Sequence, residues 1–241
     1  MNGQFFINGQ WLDHGRERTD VTNPATGEVV GSVPNGTKSD VNDAVEAARK
    51  AFPDWSKRTV YERAELLEKL YAKMIEKKDE LARLMTLEMG KPLAESEGEV
   101  QYAANFVKWF AEEGKRAYGR VIPTHDAGKR LQVIKQPVGV VAAITPWNFP
   151  AAMITRKLAP ALVAGCTFVL KPPTATPLTA LRLLELCQEV GIPEGVVNAV
   201  TGSGKELGES LATHPHVDKI TFTGSTEVGR TLMAQGAETI K

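Results

Sequence analysis

An excess of either charge is absent from this sequence: 29 lysines and arginines offset 29 aspartates and glutamates over 241 residues. With no basic surplus there is no electrostatic footprint for nucleic acid. Cysteine is scarce as well, represented only by Cys166 and Cys187. Two cysteines make no disulfide framework and fit no metal-ligand spacing. The four histidines, His14, His125, His214 and His216, are scattered. His214-Pro215-His216 is a close pair, but it has no further ligands nearby and is expected to be loop surface rather than a metal site. There is no signal-like or transit-like start and no apolar run of 18 residues. The expectation left by these absences is a cytoplasmic protein with no metal, no membrane span and no nucleic-acid partner.

What is present is uneven. Residues 1 to 120 carry 38 of the 58 charged residues. That predicts exposed helices first and a buried sheet later. Phe5 to Trp11 predicts two short strands about an Asn8-Gly9 turn. Asn23 to Gly27 is a second turn, leading into a strand over 28–33. Ser39 offers an N-cap to a helix with Asp40 and Asp43 in its first turn and Val41, Val45, Ala48 and Phe52 on one face; Pro53 is expected to stop it. Further helices are expected over 59–78, over 80–89 after an Asp79 cap, and over 93–118. Tyr102, Phe106, Trp109 and Phe110 are taken as ordinary core rather than a cofactor box. Residues 120–136 alternate loosely about His125 to Gly128 and predict a hairpin.

From Val138 the pattern changes. Val138 to Ile144 is a nearly unbroken, β-branched apolar run, as in a strand buried on both faces. Thr145-Pro146-Trp147-Asn148-Phe149-Pro150 breaks it, since two prolines forbid a continuing helix or central strand. A helix over 151–165, a strand over 166–170 and the Lys171-Pro172-Pro173 stop complete a βαβ unit. Helices over 178–190, 205–212 and 227–235 then alternate with strands over 196–200 and 217–223. The fold class expected is α/β, a doubly wound parallel sheet with an N-terminal helical arm and a projecting β-hairpin. Ligands of such sheets bind at the carboxyl ends of the strands. Those ends carry Thr145 to Asn148 and Lys171 to Thr174.

TPWNFP at 145–150, the AGC-strand-KP segment at 164–172 and FTGSTEVG at 222–229 resemble the aldehyde dehydrogenase superfamily, whose cofactor domain is Rossmann-like. The resemblance runs through essentially the whole chain, from FINGQW at 6–11 and NPATGE at 23–28. ITRK at 154–157 is similar to the succinate-semialdehyde dehydrogenase branch. The resemblance divides the chain into an N-terminal part over 1–119, a bridging hairpin over 120–137 that pairs with another subunit in a homo-oligomer, and a dinucleotide-binding core over 138–241. It implies NAD(P)-dependent oxidation of an aldehyde to a carboxylic acid, with succinate semialdehyde as the small-molecule substrate.

The residues allow the chemistry to be placed. Gly224 and Ser225 follow a strand and open a helix, whose free N–H groups and dipole favour a phosphate; the resemblance puts the cofactor pyrophosphate there. The turn at Gly202 either borders the adenine side or is a plain βα turn. Lys171 can reach ribose hydroxyls or a phosphate, with Pro172 and Pro173 shaping its loop. At position 174, NAD-preferring relatives often have Glu, which repels the 2′-phosphate of NADP. Thr174 lacks that charge, so NADP is expected beside or ahead of NAD. In relatives Trp147 and Asn148 line the nicotinamide path, and Ile144, Thr145 and Pro146 are expected at the cofactor with them. Asn148 is the catalytic candidate, its amide donating to an oxyanion on the aldehyde carbon. Arg156 matches a distal carboxylate bidentately.

One part of the family pattern is missing. Relatives place their nucleophilic cysteine in a G-Q-x-C segment and their general-base glutamate in E-L-G-G, and neither segment occurs here. Cys166 and Cys187 match neither and are expected to be inert buried thiols. The expectation is therefore the cofactor half of such an enzyme, inactive by itself. The alternative is a non-catalytic nucleotide-binding or subunit-pairing module.

Overall fold

Asn8 and Gly9 take positive φ values of 51° and 75°. That suits a type I′ turn, and it joins β1 (Phe5–Ile7) to β2 (Gln10–Leu12) as an antiparallel hairpin. The computed structural model describes residues 2–241. A strand with no counterpart in the sequence reading, β3 (Arg18–Thr22), pairs with β4 (Val29–Pro34) across the Asn23–Gly27 turn.

Four helices follow. In α1 (Lys38–Lys57) the N-cap is Thr37, not Ser39, and the Thr37 amide donates to Asp40 Oδ2 at 2.7 Å. Pro53 lies inside α1 rather than ending it. It sits a turn before the C-terminus, where its missing N–H costs a single helical bond. In α2 (Val60–Glu76), Thr59 and Glu62 form a reciprocal capping box. For α3 (Lys78–Met89) the cap position is Lys77, with Asp79 inside the first turn, and Gly90 ends the helix at φ 83°. α4 (Leu93–Gly114) stops short of Tyr118. Its aromatic set is only partly core, since Tyr102 and Trp109 are exposed. The hairpin of β5 (Arg120–Ile122) and β6 (Leu131–Val133) stands as a separate two-stranded sheet with every strand residue exposed.

The remaining elements alternate: β7 (Val140–Ile144), α5 (Ala152–Val163), β8 (Thr167–Lys171), α6 (Leu178–Glu189), β9 (Val197–Ala199), α7 (Gly204–Thr213), β10 (Lys219–Phe222) and α8 (Thr226–Gly236). The sheet order is β10-β7-β8-β9-β1-β2. The first four strands are parallel, and β1 joins β9 antiparallel through Phe6 and Ala199. The N-terminal hairpin thus extends the sheet.

Side-chain alternation along β7 divides two cores. Val140, Ala142 and Ile144 face α1, α7 and α8, among Val41, Val45, Leu207, Leu211 and Leu232. Val141 and Ala143 face the opposite layer, where α2 to α6 bury Leu67, Met74, Leu81, Val107, Leu158 and Leu184. Helices on both faces make the sheet doubly wound. Among the described residues no helix is long and apolar enough to cross a membrane.

Candidate functional site

From β7 the chain winds outward to β8 and β9, and it returns to place β10 on the other side of β7. That reversal creates a crevice at the carboxyl ends of β7 and β10. A cleft of about 900 Å³ opens there. Its walls are Ile144 to Asn148 after β7, Lys171 at the end of β8, the start of α7, and Thr223 to Ser225 ahead of α8. Eight of the residues singled out from the sequence therefore meet in one cleft: Ile144, Thr145, Pro146, Trp147, Asn148, Lys171, Gly224 and Ser225.

Two helix N-termini point into this space. Ser225 caps α8 by accepting from the Val228 amide at 3.3 Å. A Cβ at Gly224 would lie 2.4 Å from the Phe222 ring, so glycine is what lets the chain turn so closely here. Ser203 caps α7, and a Cβ at Gly204 would lie 3.7 Å from Lys171 Nζ. Both ends present unpaired N–H groups and positive dipole, which favour anions.

Lys171 is 4 % exposed. Burial lowers its pKa to about 8. Its Nζ donates to Thr174 Oγ1 at 3.2 Å, and Thr174 donates to the Gly202 carbonyl at 3.1 Å. Among the described residues no carboxylate forms an ion pair with it. A buried cation without a counter-charge is costly unless a ligand supplies one. Pro172, Pro173, Thr174 and Gly202 are not among the residues lining the cleft, and Thr174 is exposed beside Lys171. Gly202, at φ 140°, has a packing role: a Cβ would meet the Gly36 backbone nitrogen at 2.8 Å.

The loop after β7 exposes Trp147 and Asn148. The Asn148 side-chain amide has no hydrogen-bond partner among the described residues, while its carbonyl accepts from Lys91 Nζ at 3.1 Å. Sequence reasoning missed three buried charged residues: Lys91 and Glu99, which support this wall, and Glu88, which caps α6. Glu99 Oε1 accepts from the amides of Ala151 at 2.9 Å and Ala152 at 3.2 Å, capping α5, and its other oxygen pairs with Lys91. Glu88 accepts from the amides of Leu178 at 2.7 Å and Thr179 at 2.8 Å, capping α6. Burial pushes Glu88 up to about 7. One signal could have found them. The N-cap residues of α5 and α6 are Ala151 and Pro177, which have no side-chain acceptor, so the cap must come from elsewhere.

Arg156 stands outside the cleft wall, exposed on α5 with its guanidinium 5.0 Å above the Phe106 ring. Its neighbour Lys157 is buried and donates to Thr223 Oγ1 at 2.5 Å. Cys166 and Cys187 are both buried, and burial pushes the Cys187 thiol up to about 12. Neither borders the cleft. His214 is buried rather than loop surface, within reach of Asn42 Oδ1 at 3.3 Å, and His216 pairs with Glu46.

A doubly wound sheet with an anion-favouring cleft at its switch point is a dinucleotide-binding architecture. The chain belongs to the aldehyde dehydrogenase family, whose sequence profile it matches over residues 11–241. It is 58% identical to the NADP-dependent succinate-semialdehyde dehydrogenase of Escherichia coli strain K12, covering 99% of this chain and 50% of that one. It is 56% identical to the glutarate-semialdehyde dehydrogenase of Pseudomonas aeruginosa, with the same coverage of 99% and 50%. A crystal structure of an E. coli NADP-dependent enzyme superposes with a TM-score of 0.98 at 58% identity, over 100% of this chain and 50% of that one. The chain thus spans about half the length of the curated relatives it matches.

Proposed function

We propose that this chain supplies the cofactor-binding half of an NADP-dependent dehydrogenase that oxidises a small aldehyde bearing a distal carboxylate, succinate semialdehyde in the first instance. The observation that carries this reading is Lys171, a buried cation with no carboxylate partner among the described residues, facing a cleft with two helix N-termini. The relatives named for NADP and for semialdehydes support it.

The residues fit a bound dinucleotide. The α8 N-terminus at Gly224 and Ser225 takes the pyrophosphate, and Lys171 takes the adenosine ribose and its 2′-phosphate. Thr174 accepts from Lys171 and donates to the Gly202 carbonyl, on the adenosine side of the site. Ile144 to Trp147 line the nicotinamide side, and the nicotinamide, when bound, accepts hydride. Asn148 donates from its unpaired amide to the oxyanion that forms on the aldehyde carbon. Such a donor contributes about 3–4 kcal/mol to the transition state in other enzymes. Arg156 holds the distal carboxylate, with Phe106 beneath its guanidinium. The exposed β5–β6 hairpin pairs with a second subunit.

Both cysteines are buried away from the cleft, which favours a second reading of the 241 residues taken alone: a nucleotide-binding module without turnover. The test is calorimetric titration of the chain with NADP and NAD, beside a succinate-semialdehyde assay. The assay uses the chain alone and the chain fused to the C-terminal half of the E. coli relative. Binding with activity only in the fusion supports the cofactor-half reading. Binding with no activity in either leaves the module. Absence of binding removes both.

A further inference from the structure

Asn148 is exposed at the cleft, and among the described residues no hydrogen bond holds its side chain. An oxyanion donor has to be held in position, because a misplacement of about 1 Å near the chemistry can cost on the order of 10²-fold in rate. The loop that bears it lies between two prolines and runs into a helix whose first residues have no local cap. Something outside the loop must fix it.

We infer that the buried pair Lys91 and Glu99 are positioning residues for Asn148; this rests on the dehydrogenase reading above, in which Asn148 is the oxyanion donor. The pair holds the backbone at Asn148 itself and the residues that follow it. At Asn148, Lys91 Nζ donates to the backbone carbonyl at 3.1 Å and lies 4.3 Å from the centre of the Phe149 ring. Downstream, Glu99 Oε1 accepts from the amides of Ala151 and Ala152. The ion pair between Glu99 Oε2 and Lys91 ties the two holds together. Its side chains are 7% and 1% exposed, so water competes little for either hold. Neither residue lines the cleft. They act on the site through the backbone of 148–152 and the Phe149 ring.

The geometry separates this role from general support of the fold. The pair touches one loop and one helix start, and β8 and α6 have their own contacts, including the Glu88 cap. Releasing the pair loosens 145–153 and leaves 167–189 protected.

Amide hydrogen exchange on the 241-residue chain, read by mass spectrometry, tests this. Lys91→Met alone strands a buried carboxylate and can unfold the chain. The deciding variant is therefore the double substitution Lys91→Met with Glu99→Gln, which buries no charge. The expected result is exchange faster by about tenfold or more in peptides covering 145–153, with peptides covering 167–189 unchanged. Lys91→Arg, which keeps the charge and the donors, is expected to restore wild-type exchange in the loop. Unchanged exchange in 145–153, or equal acceleration across the sheet, overturns the inference. Titration of the wild-type chain with NADP keeps the two readings apart. Failure to bind removes the dehydrogenase reading and leaves the loop result to stand, whereas binding with an unaffected loop removes the inference alone.

Discussion

The hydroxyl of Thr174 sits 3.2 Å from the ammonium of Lys171, where a longer acidic side chain would place a negative charge. In the proposed reading, that relationship sets the charge that a cofactor 2′-phosphate meets. Thr174→Glu is expected to weaken NADP binding by about 10–100-fold and to shift preference to NAD. A unit charge about 4 Å from another is worth on the order of 1–4 kcal/mol at protein-surface dielectric. Parallel titrations with the two cofactors check it, and equal loss for both would sink the charge argument.

Lys171 also predicts a pH dependence. Burial holds its free-state pKa at about 8, below its ordinary value of 10.5. The lysine is charged below about 8 and neutral above it. An anionic ligand favours the charged form, so NADP binding should weaken as pH rises from 7 to 9.5, with proton uptake near 8. Lys171→Met is expected to bind weakly at every pH. Lys171→Arg keeps its charge throughout and should flatten the profile. A wild-type affinity independent of pH over this range would contradict the assignment.

Gly202 allows packing to be separated from ligand contact. A Cβ there meets the Gly36 nitrogen at 2.8 Å and its carbonyl oxygen at 3.1 Å, in a backbone conformation with φ of 140°. Neither backbone atom can yield easily. Gly202→Ala is expected to destabilise the chain by about 2–4 kcal/mol. Urea unfolding measures this, and loss of NADP binding without loss of stability would give Gly202 a direct ligand role instead.

Much of the sheet was legible because its signals are local. The apolar run at 140–144, the prolines of 145–150 and the glycine turns before α7 and α8 each mark their element within a few residues. The cleft was legible for the same reason, since strand ends and helix starts adjoin in sequence. What stayed hidden depends on distant partners. The bond between β1 and β9 joins Phe6 to Ala199, and no periodicity in either strand announces it. Glu88, Lys91 and Glu99 lie in a charge-rich stretch where most acids and bases face water. Only the bare N-caps at Ala151 and Pro177 hint that these three are buried. Pro53 misled because a proline near a helix end costs far less than one at its middle.

Glu88 carries a second pH effect, on stability. Burial raises its pKa from 4.5 to about 7, against the lowering effect of the Thr179 and Leu178 hydrogen bonds. An acid whose folded pKa is raised contributes stability that is fully present below the unfolded value and lost as pH rises through the folded one. The unfolding free energy should therefore contain a component that falls between pH 4.5 and 7. Glu88→Gln removes that component while keeping one acceptor for the α6 amides. It should cost about 1 kcal/mol for the other. Denaturation of both proteins at several pH values checks this. Parallel pH curves for wild type and variant would show that Glu88 does not titrate in this window.

The two thiols decide what the 241 residues do alone. A thiolate, not a thiol, attacks a carbonyl. Cys187, pushed up to about 12 by burial, is ionised at pH 7.5 to the extent of roughly 10⁻⁵ to 10⁻⁴. Cys166 is 3 % exposed and packs into the core with Phe168 and Val163. An aldehyde in the cleft reaches neither. An aromatic disulfide reagent is expected to label no thiol in the folded chain over an hour and both in 6 M urea. The same folded sample, given NADP and succinate semialdehyde, should form no reduced cofactor. The two measurements belong together. Fast labelling of one thiol with reduced cofactor appearing would mean that a cysteine opens to the cleft and serves as nucleophile. Fast labelling without turnover would mean only that the core opens locally. Slow labelling with turnover would require a route to the acid that uses no thiolate, and the roles given to Asn148 and Lys171 would have to be derived again from that chemistry.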